Sequence, residues 1–323
     1  MSDTVAAVVV SYNRKELLIK CLEALRNQTH KPDAIFIIDN KSNDGTPEFL
    51  LDKKYIPKLP VNDSNENQLI KHRVCSLNNP YENIETNYIR KCENDGGAGG
   101  FFEGMKQAYK ERYDWIWMMD DDGIPDENQL SELLKAPPKY KFRNALVVDI
   151  NDYSNLAFGL KGYNKVIKFI EKKYIENRAN PFNGTLIHRD IPKKIGFIKK
   201  EMFIWGDEKE YMLRIRRSNI KIITISKAIH FHPESKATVQ KFFFGLINIP
   251  IKPYPICFLY YRNMGFLHST YNKKALFKFF AKFSFYYLFI KLSIKDYKLF
   301  LKYYLDGWRN SYSLPNSSII DNH

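Results

Sequence analysis

Cysteine is scarce in this chain, and long apolar runs are missing. The 323 residues include four cysteines, Cys21, Cys75, Cys92 and Cys257, which lie far apart and form no CxxC pair. Neither a zinc cage nor a disulfide framework is therefore indicated, and a reducing compartment fits best. No apolar stretch reaches the roughly 18 residues that span a bilayer. The N-terminal residues show no basic region and no small-residue cleavage site, so we expect no secretory signal and only peripheral membrane contact.

Acidic residues are outnumbered by basic ones. The chain has 50 Lys and Arg against 36 Asp and Glu, a formal charge of +14. This surplus indicates an anionic partner, which the charge alone does not distinguish among phosphates, acidic lipids and nucleic acid. The basic residues concentrate late in the chain and no nucleic-acid-binding motif occurs, so we expect no nucleic-acid partner.

The first 150 residues alternate between predicted strands and helices. Apolar runs at 5–10, 34–38 and 115–119 predict buried strands, and residues 15–28, 101–112 and 207–218 have helical patterns. Such alternation builds a parallel sheet with flanking helices, and ligands bind beyond the carboxyl ends of its strands. Residues 53–83 are polar and predict a loop or a small insertion. From 254 to 308, interleaved aromatics and lysines predict helices with a break near 283–290.

Three consecutive aspartates, Asp120, Asp121 and Asp122, follow the apolar run at 115–119. Carboxylates packed this closely repel one another unless a cation binds them, and oxygen ligands suit Mg²⁺ or Mn²⁺. A metal ion there would neutralise a diphosphate leaving group. The alternative is an acidic turn that caps the helix near Asp126. The position directly after a buried strand favours the metal site.

Two other predicted strand ends carry candidate binding segments. Asp39 closes the second strand, where a carboxylate accepts hydrogen bonds from a base or ribose, or forms an Asx-turn. Residues 94–101 read Asn-Asp-Gly-Gly-Ala-Gly-Gly-Phe. Glycines allow backbone N–H groups to approach a ligand closely, and the start of the following helix favours anions. A flexible loop is the alternative for this segment.

A carboxylate pair and two histidines stand later in the chain. Asp207 and Glu208 follow Trp205 and begin a predicted helix, where a carboxylate either acts as a general base toward a hydroxyl or stabilises the helix N-terminus. His230 and His232 lie in an extended segment before a proline. One of them could supply an imidazole to the metal, and a structural role is the alternative.

In their order and spacing, these segments resemble the family-2 inverting glycosyltransferases of GT-A fold. The matching segments are Ser11-Tyr12-Asn13-Arg14, Asp39-Asn40, residues 94–101, the triple aspartate, Trp205-Gly206-Asp207-Glu208 and the late His-Pro. The glycine cluster, the triple aspartate and Trp-x-Asp-Glu are most similar to the bacterial galactofuranosyltransferase and rhamnosyltransferase branch. The resemblance covers about residues 4–235 and implies a mostly parallel central sheet with flanking helices.

The resemblance also implies roles for individual residues. Asp207 would be the catalytic base, with Glu208 as the alternative. Asp120 and Asp122 would ligate Mn²⁺ or Mg²⁺, together with His232 or, in reserve, His230. The residues implied to contact the nucleotide-sugar donor are Ser11, Asn13, Arg14, Asp39, Asn94, Gly96, Gly97, Gly99, Asp121 and Trp205.

The implied reaction is a single displacement with inversion, from a UDP or dTDP donor to a glycan or lipid-linked oligosaccharide acceptor. Galactofuranose from UDP-galactofuranose is the first expectation and rhamnose from dTDP-rhamnose the second. Galactofuranosyltransferases often carry two aspartates where this chain has Asp207-Glu208, and this departure weakens the assignment of the sugar. A sugar-phosphate nucleotidyltransferase is more remote. That class normally has a glycine-rich loop after the first strand, where this chain has Ser11-Tyr12-Asn13-Arg14.

The predicted organisation is a GT-A catalytic domain at 1–240 and an aromatic, basic helical region at 241–323. Within the catalytic domain, we expect a donor-binding part at about 1–125 and an acceptor-side part at about 126–240. The C-terminal helices imply an enzyme held peripherally at the cytoplasmic face of the cell membrane by anionic lipid. A core-packing helical pair, or one that forms a homo-oligomer, is the alternative.

Overall fold

One large sheet runs through the first part of the chain. The computed structural model describes residues 3–62, 64–234, 238–242 and 247–312. Within these residues the sheet has 12 strands, with the main order β10-β12-β7-β11-β5-β1-β2-β4-β3. The strands are β1 Val5–Ser11, β2 Ala34–Asp39, β3 Gln68–Cys75, β4 Asn83–Arg90, β5 Trp115–Asp120, β6 Ile124–Pro125, β7 Phe142–Asp149, β8 Asn155–Leu160, β9 Tyr163–Lys165, β10 Tyr174–Glu176, β11 Thr185–His188 and β12 Ile222–His232.

Helices flank this sheet as the sequence predicts. They are α1 Lys15–Arg26, α2 Thr46–Asp52, α3 Gly96–Lys110, α4 Gln129–Leu134, α5 Asp190–Ile195 and α6 Asp207–Arg217. Both faces of β1 are buried: Val5, Ala7 and Val9 join a core cluster with the apolar face of α1. Val8 and Val10 lie on the opposite face, against α3.

The strand directions are parallel on one side of the sheet and mixed on the other. Strands β1, β2, β4 and β5 pair in parallel, as do β7 and β12. The short strand β11 runs antiparallel between β5 and β7. The polar segment 53–83, predicted as a loop or insertion, contributes the antiparallel edge strand β3, which pairs with β4 along its whole length. The α/β fold class is confirmed.

The chain divides into two compact units that differ from the predicted domains. The first comprises residues 1–200 and 214–235, and the second comprises residues 201–213 and 236–323. The predicted boundary near residue 240 left 201–213 with the sheet, whereas here that segment groups with the C-terminal helices. The division falls inside α6.

The second unit is built from helices and one hairpin. Its elements after residue 236 are β13 Thr238–Phe242, β14 Ile247–Ile251, α7 Cys257–Tyr271, α8 Lys273–Phe285, a π-helical turn Tyr286–Ile290 and α9 Ile294–Trp308. Two helices are present as predicted, but residues 283–290 are helical and the interruption falls between Ile290 and Ile294. Its core is aromatic: the ring of Tyr261 lies 4.8 Å from Phe283 and 5.2 Å from Phe300. No helix among the described residues is long and apolar enough to cross a bilayer.

Helices α7 and α9 cross at two glycines. A Cβ atom on Gly265 would lie 2.2 Å from the Tyr304 carbonyl oxygen, and one on Gly307 would lie 1.8 Å from the Arg262 carbonyl oxygen. Both distances are far below van der Waals contact, so any side chain at either position would force the helices apart. The two glycines therefore set how closely α9 packs on α7.

Candidate functional site

Three parallel strands bring their polar ends to one edge of the sheet. Ser11 at the end of β1 is paired with Asp39 at the end of β2. On the other side, Val10 is paired with Asp120, the last residue of β5. The first member of the aspartate triplet, Ser11 and Asp39 therefore share the edge where the sequence predicts ligand binding.

The aspartate triplet is partly buried and contacts Arg14. The Arg14 guanidinium nitrogen Nη1 lies 2.9 Å from Asp122 Oδ2 and 3.3 Å from Asp121 Oδ1. Burial raises the pKa of Asp121 to about 6, although Arg14 opposes the shift. The second oxygen of Asp121 and the Ser11 hydroxyl are buried and have no hydrogen-bond partner in the part of the chain that the structure describes. Buried polar atoms of this kind need a partner, so the strand end is suited to a polar ligand.

His232 meets the triplet, and its geometry matches that of a metal-ligating histidine. Nδ1 lies 2.7 Å from the Pro233 carbonyl oxygen, which can only accept, so Nδ1 donates. Nε2 then faces Asp122 Oδ1 at 3.1 Å. Histidines that ligate metals usually donate their second ring N–H to a carbonyl or carboxylate in this way. A proton on Nε2, or a cation bound by both groups, would hold the imidazole and the carboxylate together.

The proximity of His232 and Asp122 shifts the pKa of each group. Burial alone would lower the pKa of His232, but the hydrogen bond and charge of Asp122 outweigh it and raise that pKa. Burial likewise opposes ionisation of Asp122, yet His232 and Arg14 lower the pKa of this carboxyl. Asp122 is therefore ionised at neutral pH, as a metal ligand must be.

His230 lies in a different environment. Its side chain is fully buried, and Nδ1 lies 3.1 Å from Gln129 Oε1. A Cβ on Gly123 would lie 2.2 Å from His230 Nε2, so the ring fills the space under that glycine. Burial lowers the pKa of His230 to about 3, which keeps the ring neutral. The structure thus places His232 at the triplet and His230 in a packed interior position.

The donor set fits a divalent cation in part. Carboxylate oxygen and imidazole nitrogen suit Mn²⁺ and Mg²⁺ to different degrees, and Mn²⁺ accepts both. Asp122 and His232 are in contact, and Asp120 is the last residue of β5, two positions before Asp122. Among the described residues, however, no three His, Cys, Asp or Glu side chains converge into a complete cage. A donor diphosphate would supply the remaining oxygens in such a partial site.

Asp39 is held by partners that the sequence analysis did not identify. Tyr88 donates its hydroxyl to Asp39 Oδ2 at 2.7 Å, and Arg90 Nη1 donates to the same oxygen at 2.6 Å. The Ser42 backbone N–H donates to Oδ1 at 2.7 Å, so the carboxylate also stabilises the turn after β2. Tyr88 and Arg90 lie two positions apart on β4, and the pairing of β4 with β2 brings them to Asp39.

The loops after β1 and β2 are joined next to a cavity. Asn13 donates its backbone N–H to Ser42 Oγ at 3.0 Å, and its Oδ1 accepts from the Asn43 N–H at 2.8 Å. A cavity of about 350 Å³ is lined by Ser42, Asn43, Gly45, Glu48 and Arg90, among others. Its rim is polar and includes the arginine that contacts Asp39, a composition suited to a nucleoside.

The glycine cluster belongs to a helix, and the predicted start of that helix at residue 101 is wrong. Helix α3 begins at Gly96, whose φ is +74°, and includes the remaining glycines. A Cβ on Gly100 would lie 2.4 Å from Val10 Cγ1, and one on Gly104 would lie 2.3 Å from Val8 Cγ1. These two glycines serve close packing on β1. Gly97 has nothing within 4 Å of its Cβ position, so this residue is available to a ligand.

Side chains before the helix fix its first turn. The Asn94 side chain accepts a hydrogen bond from the Gly96 N–H at 3.0 Å. Asp95 forms an ion pair with Lys91. The Asp95 carboxyl carbon would lie only 2.0 Å from a Cβ on Gly99, so the carboxyl group fills the space beside that glycine. Asn40 Nδ2 donates to the Gly96 carbonyl at 3.0 Å, while Asn40 Oδ1 is buried without a partner among the described residues. Asn40, which the sequence analysis left without a role, joins the end of β2 to the start of α3.

The segment before α6 lies in the second unit and has an unusual backbone. Phe203, Trp205 and Gly206 have φ values of +64°, +60° and +122°. Asp207 is the first residue of α6 and is 3% exposed. Glu208 Oε2 accepts a hydrogen bond from the Gly206 N–H at 3.3 Å, so this carboxylate caps the turn.

Two residues of α7 hold this segment. Asn263 Nδ2 donates to the carbonyls of Met202, Ile204 and Trp205 at 2.8, 2.8 and 3.0 Å. Arg262 donates to the Met202 carbonyl at 3.0 Å, and its Nε donates to Asn263 Oδ1 at 3.2 Å, which orients the amide. Both side chains are fully buried. They lie about 60 positions away in sequence, so no local pattern indicates them.

An aromatic cavity lies elsewhere in the second unit. It has a volume of about 440 Å³, and its lining includes Lys252, Tyr254, Tyr261, Tyr286 and Tyr287. The Lys252 ammonium also lies 4.5 Å from the centre of the Trp205 ring. Lys252 therefore contacts both the cavity and the segment that precedes Asp207.

Solved structures with the same fold include two enzymes. The TarS fragment 1–349 of S. aureus superimposes with a TM-score of 0.54 at 11% identity, covering 94% of this chain and 80% of that one. GalNAc-T7, solved with UDP, GalNAc and Mn²⁺, gives a TM-score of 0.52 at 14% identity, covering 83% of this chain and 50% of that one. These low identities show the fold alone. The sheet and its flanking helices therefore have the GT-A fold.

The particular family follows from the sequence. The chain belongs to glycosyl transferase family 2, whose model matches residues 6–71 and 61–200. Galactofuranosyltransferase GlfT1 of Mycobacterium tuberculosis is 28% identical over 330 residues, which cover 98% of this chain and 100% of the relative. GlfT1 of Mycolicibacterium smegmatis is 28% identical over 285 residues, which cover 83% of this chain and 84% of the relative.

Proposed function

We propose that this enzyme transfers galactofuranose from UDP-galactofuranose to a hydroxyl of a cell-surface glycan or lipid-linked acceptor. The observation that carries the proposal is the full-length similarity to proteins named galactofuranosyltransferase, which extends through the C-terminal helices to 98% of this chain. The acceptor side of a transferase determines what receives the sugar. A similarity confined to the donor-binding strands would support only the transfer of some sugar.

We assign donor binding to the first unit. The cavity beside Asp39 and Arg90 would receive the nucleoside, and Asn13, Asn94, Gly96, Gly97 and Gly99 would border the donor, as the resemblance implies. Asp120, Asp122 and His232 would hold Mn²⁺ or Mg²⁺, which when bound draws negative charge from the departing diphosphate. Arg14, whose side chain is half exposed beside the triplet, would add positive charge there.

We assign proton removal to Asp207. Its carboxylate would accept the proton of the acceptor hydroxyl while that oxygen bonds to the anomeric carbon and the bond from that carbon to the UDP oxygen breaks, with inversion. Asp207 is the residue that the resemblance matches to the base of the family, and Glu208 is the alternative. Trp205 and the tyrosine-lined cavity would offer apolar faces to an acceptor glycan. The enzyme would work at the cytoplasmic face of the membrane.

The test compares two carboxylates that differ by one position. We expect Asp207→Asn to retain UDP binding, measured by calorimetry, and to lose transfer from UDP-galactofuranose, measured as UDP release with acceptor present. Glu208→Gln keeps a side-chain oxygen for the Gly206 N–H and should retain most activity. The reverse pattern would move the base to Glu208. Turnover with dTDP-rhamnose and none with UDP-galactofuranose would refute the proposed donor.

A second test addresses the metal. We expect UDP affinity to fall in EDTA and to return with Mn²⁺, which calorimetry measures without any turnover. His232→Asn should abolish that Mn²⁺ dependence, whereas His230→Asn should preserve it because His230 packs under Gly123 and contacts Gln129, while His232 contacts Asp122. Equal UDP affinity with and without metal in the wild type would contradict the metal assignment.

A further inference from the structure

The aromatic cavity of the second unit is rich in tyrosine. Four of its nine lining residues are tyrosines, namely Tyr254, Tyr261, Tyr286 and Tyr287. Its volume of about 440 Å³ lies within the range of about 300–1,000 Å³ that is usual for small-molecule sites. A tyrosine offers an apolar ring face together with a polar hydroxyl. A sugar has the same combination of an apolar ring face and hydroxyl groups, so this lining is suited to a sugar.

Two of the four tyrosines serve the fold, and two are accessible to a ligand. Tyr261 and Tyr287 are buried, and their hydroxyl oxygens lie 2.9 Å apart, so each hydroxyl satisfies the other. Tyr254 is 55% exposed and Tyr286 is partly exposed, so their rings and hydroxyls can be reached from the cavity. Tyr286 also begins the π-helical turn Tyr286–Ile290, and turns of this kind frequently occur at functional sites.

Two lysines line the cavity, and their charges are compensated to different degrees. Lys291 Nζ lies 2.8 Å from Asp296 Oδ2, so this ammonium is already paired. Lys252 forms no salt bridge with any residue that the structure describes. Burial lowers the pKa of Lys252, and the charge of Glu208 offsets this only in part. An anion in the cavity would therefore compensate a partly buried cation, which is costly to leave without a partner.

Lys252 also connects the cavity with the segment before Asp207. Its ammonium lies 4.5 Å from the centre of the Trp205 ring and 5.8 Å from the centre of the Tyr260 ring. Trp205 precedes Asp207 by two residues, which places their Cα atoms at most about 7 Å apart. All of these residues belong to the second unit. A ligand that reaches Lys252 from the cavity is thus in the neighbourhood of the carboxylate to which we assign proton removal.

We propose that the aromatic cavity binds a sugar of the acceptor that carries an anionic group, and that Lys252 contacts this group. The sugar ring would stack on Tyr254 or Tyr286, while its phosphate or carboxylate accepts a charge-assisted hydrogen bond from the Lys252 ammonium. A neutral ligand would cover this ammonium without compensating its charge. The inference rests on the proposed function in treating the ligand as the acceptor. It does not depend on the identity of the donor.

The experiment titrates the full chain with three probes in the absence of any donor. The probes are the methyl glycosides of galactose, galacturonic acid and galactose 6-phosphate, and ligand-observed NMR measures their Kd. We expect at least one anionic probe to bind at least about tenfold more tightly than the neutral one. The tighter of the two anionic probes identifies a carboxylate or a phosphate as the preferred group. Equal affinity for all three probes, or binding of none, would overturn the proposal.

Substitutions of Lys252 assign the preference to its charge. Lys252→Met should remove the preference for the anionic probes, and Lys252→Arg should retain it. Lys278→Met is the matched control, because Lys278 is exposed on α8 of the same unit and does not line the cavity. That control should keep the wild-type preference. An unchanged preference in Lys252→Met would refute the role of Lys252, as would an equal loss of affinity for all three probes.

A ring substitution tests the other half of the site. Tyr286→Leu should weaken the binding of all three probes and leave the preference for the anionic ones, because it removes a stacking face and no charge. Thermal melting shows whether each variant is folded. Wild-type affinity for every probe in Tyr286→Leu would contradict stacking on this ring.

The probes and the donor are tested separately. Preferential binding of an anionic probe without any transfer from UDP-galactofuranose would leave the cavity assignment standing and refute the donor. Transfer from UDP-galactofuranose by a chain that binds the three probes equally would refute the cavity assignment and leave the donor standing.

Discussion

Replacing Asn263 by Leu should uncouple activity from donor binding. The buried Asn263 amide donates to three backbone carbonyls of the segment before Asp207, at 2.8 to 3.0 Å. Its two hydrogens serve three acceptors, so roughly two full hydrogen bonds are lost, at about 0.5–1.5 kcal/mol each. The carbonyls left buried add about 1–3 kcal/mol. We expect a total of about 2–6 kcal/mol against the observed conformation of the segment.

That free energy acts on a backbone that is already strained. Phe203 and Trp205 have φ values of +64° and +60°, which cost about 1–3 kcal/mol each and persist only where surrounding contacts enforce them. Without the Asn263 hydrogen bonds, relaxed conformations become populated. If Asp207 is the base, kcat should fall by at least about tenfold, because the loss exceeds the about 1.4 kcal/mol that corresponds to a factor of ten. The Kd of UDP, which the first unit would bind, should stay within about twofold.

The assay measures kcat from initial rates of transfer, UDP affinity by calorimetry and unfolding by thermal melting. Phe283→Leu is the control, because it disturbs the buried core of the same unit without touching residues 201–206. We expect the control to lower Tm while retaining kcat. If Asn263→Leu keeps the wild-type kcat, or if both variants lose activity in proportion to their loss of stability, the positioning role of Asn263 is refuted.

Five other substitutions test the packing of the site and of the C-terminal helices. Gly100→Ala should lower Tm, because its Cβ would lie 2.4 Å from Val10 Cγ1, whereas Gly97→Ala should leave Tm unchanged and any effect should appear in UDP affinity by calorimetry. Gly307→Ala should lower Tm more than Gly100→Ala, since its Cβ would lie 1.8 Å from a backbone oxygen that cannot move alone. Arg90→Met should destabilise the protein by about 3 kcal/mol in urea unfolding, because it leaves the buried Asp39 carboxylate without its cation; Tyr88→Phe should cost only about 1–2 kcal/mol.

Local sequence was sufficient for the strands and the acidic strand end. Continuous apolar runs predict β1, β2 and β5 because a strand buried on both faces needs no alternation. Parallel pairing then brings Ser11, Asp39 and Asp120 to one edge without further information. These parts of the site depend on chain order alone, which is why motif spacing indicates them.

Non-local contacts account for what the sequence did not reveal. Glycine disfavours helix in isolation, so the cluster at 96–100 predicts a loop. In the folded chain, packing of Gly100 and Gly104 on β1 outweighs that preference. Strand β3 was missed because most of its residues are polar and only Ile70 and Val74 are buried, so its pairing with β4 is what makes it a strand. Tyr88 and Arg90 became recognisable only through the register of β4 with β2.

The grouping of residues 201–213 with the C-terminal helices changes how the end of the chain is to be understood. Arg262 and Asn263 on α7 hold the segment before Asp207. Helix α9 packs closely behind them, since a Cβ on Gly307 would lie 1.8 Å from the Arg262 carbonyl oxygen. A truncation that removes α8 and α9 would therefore remove the packing behind α7. Loss of activity in such a truncation would not identify a membrane requirement.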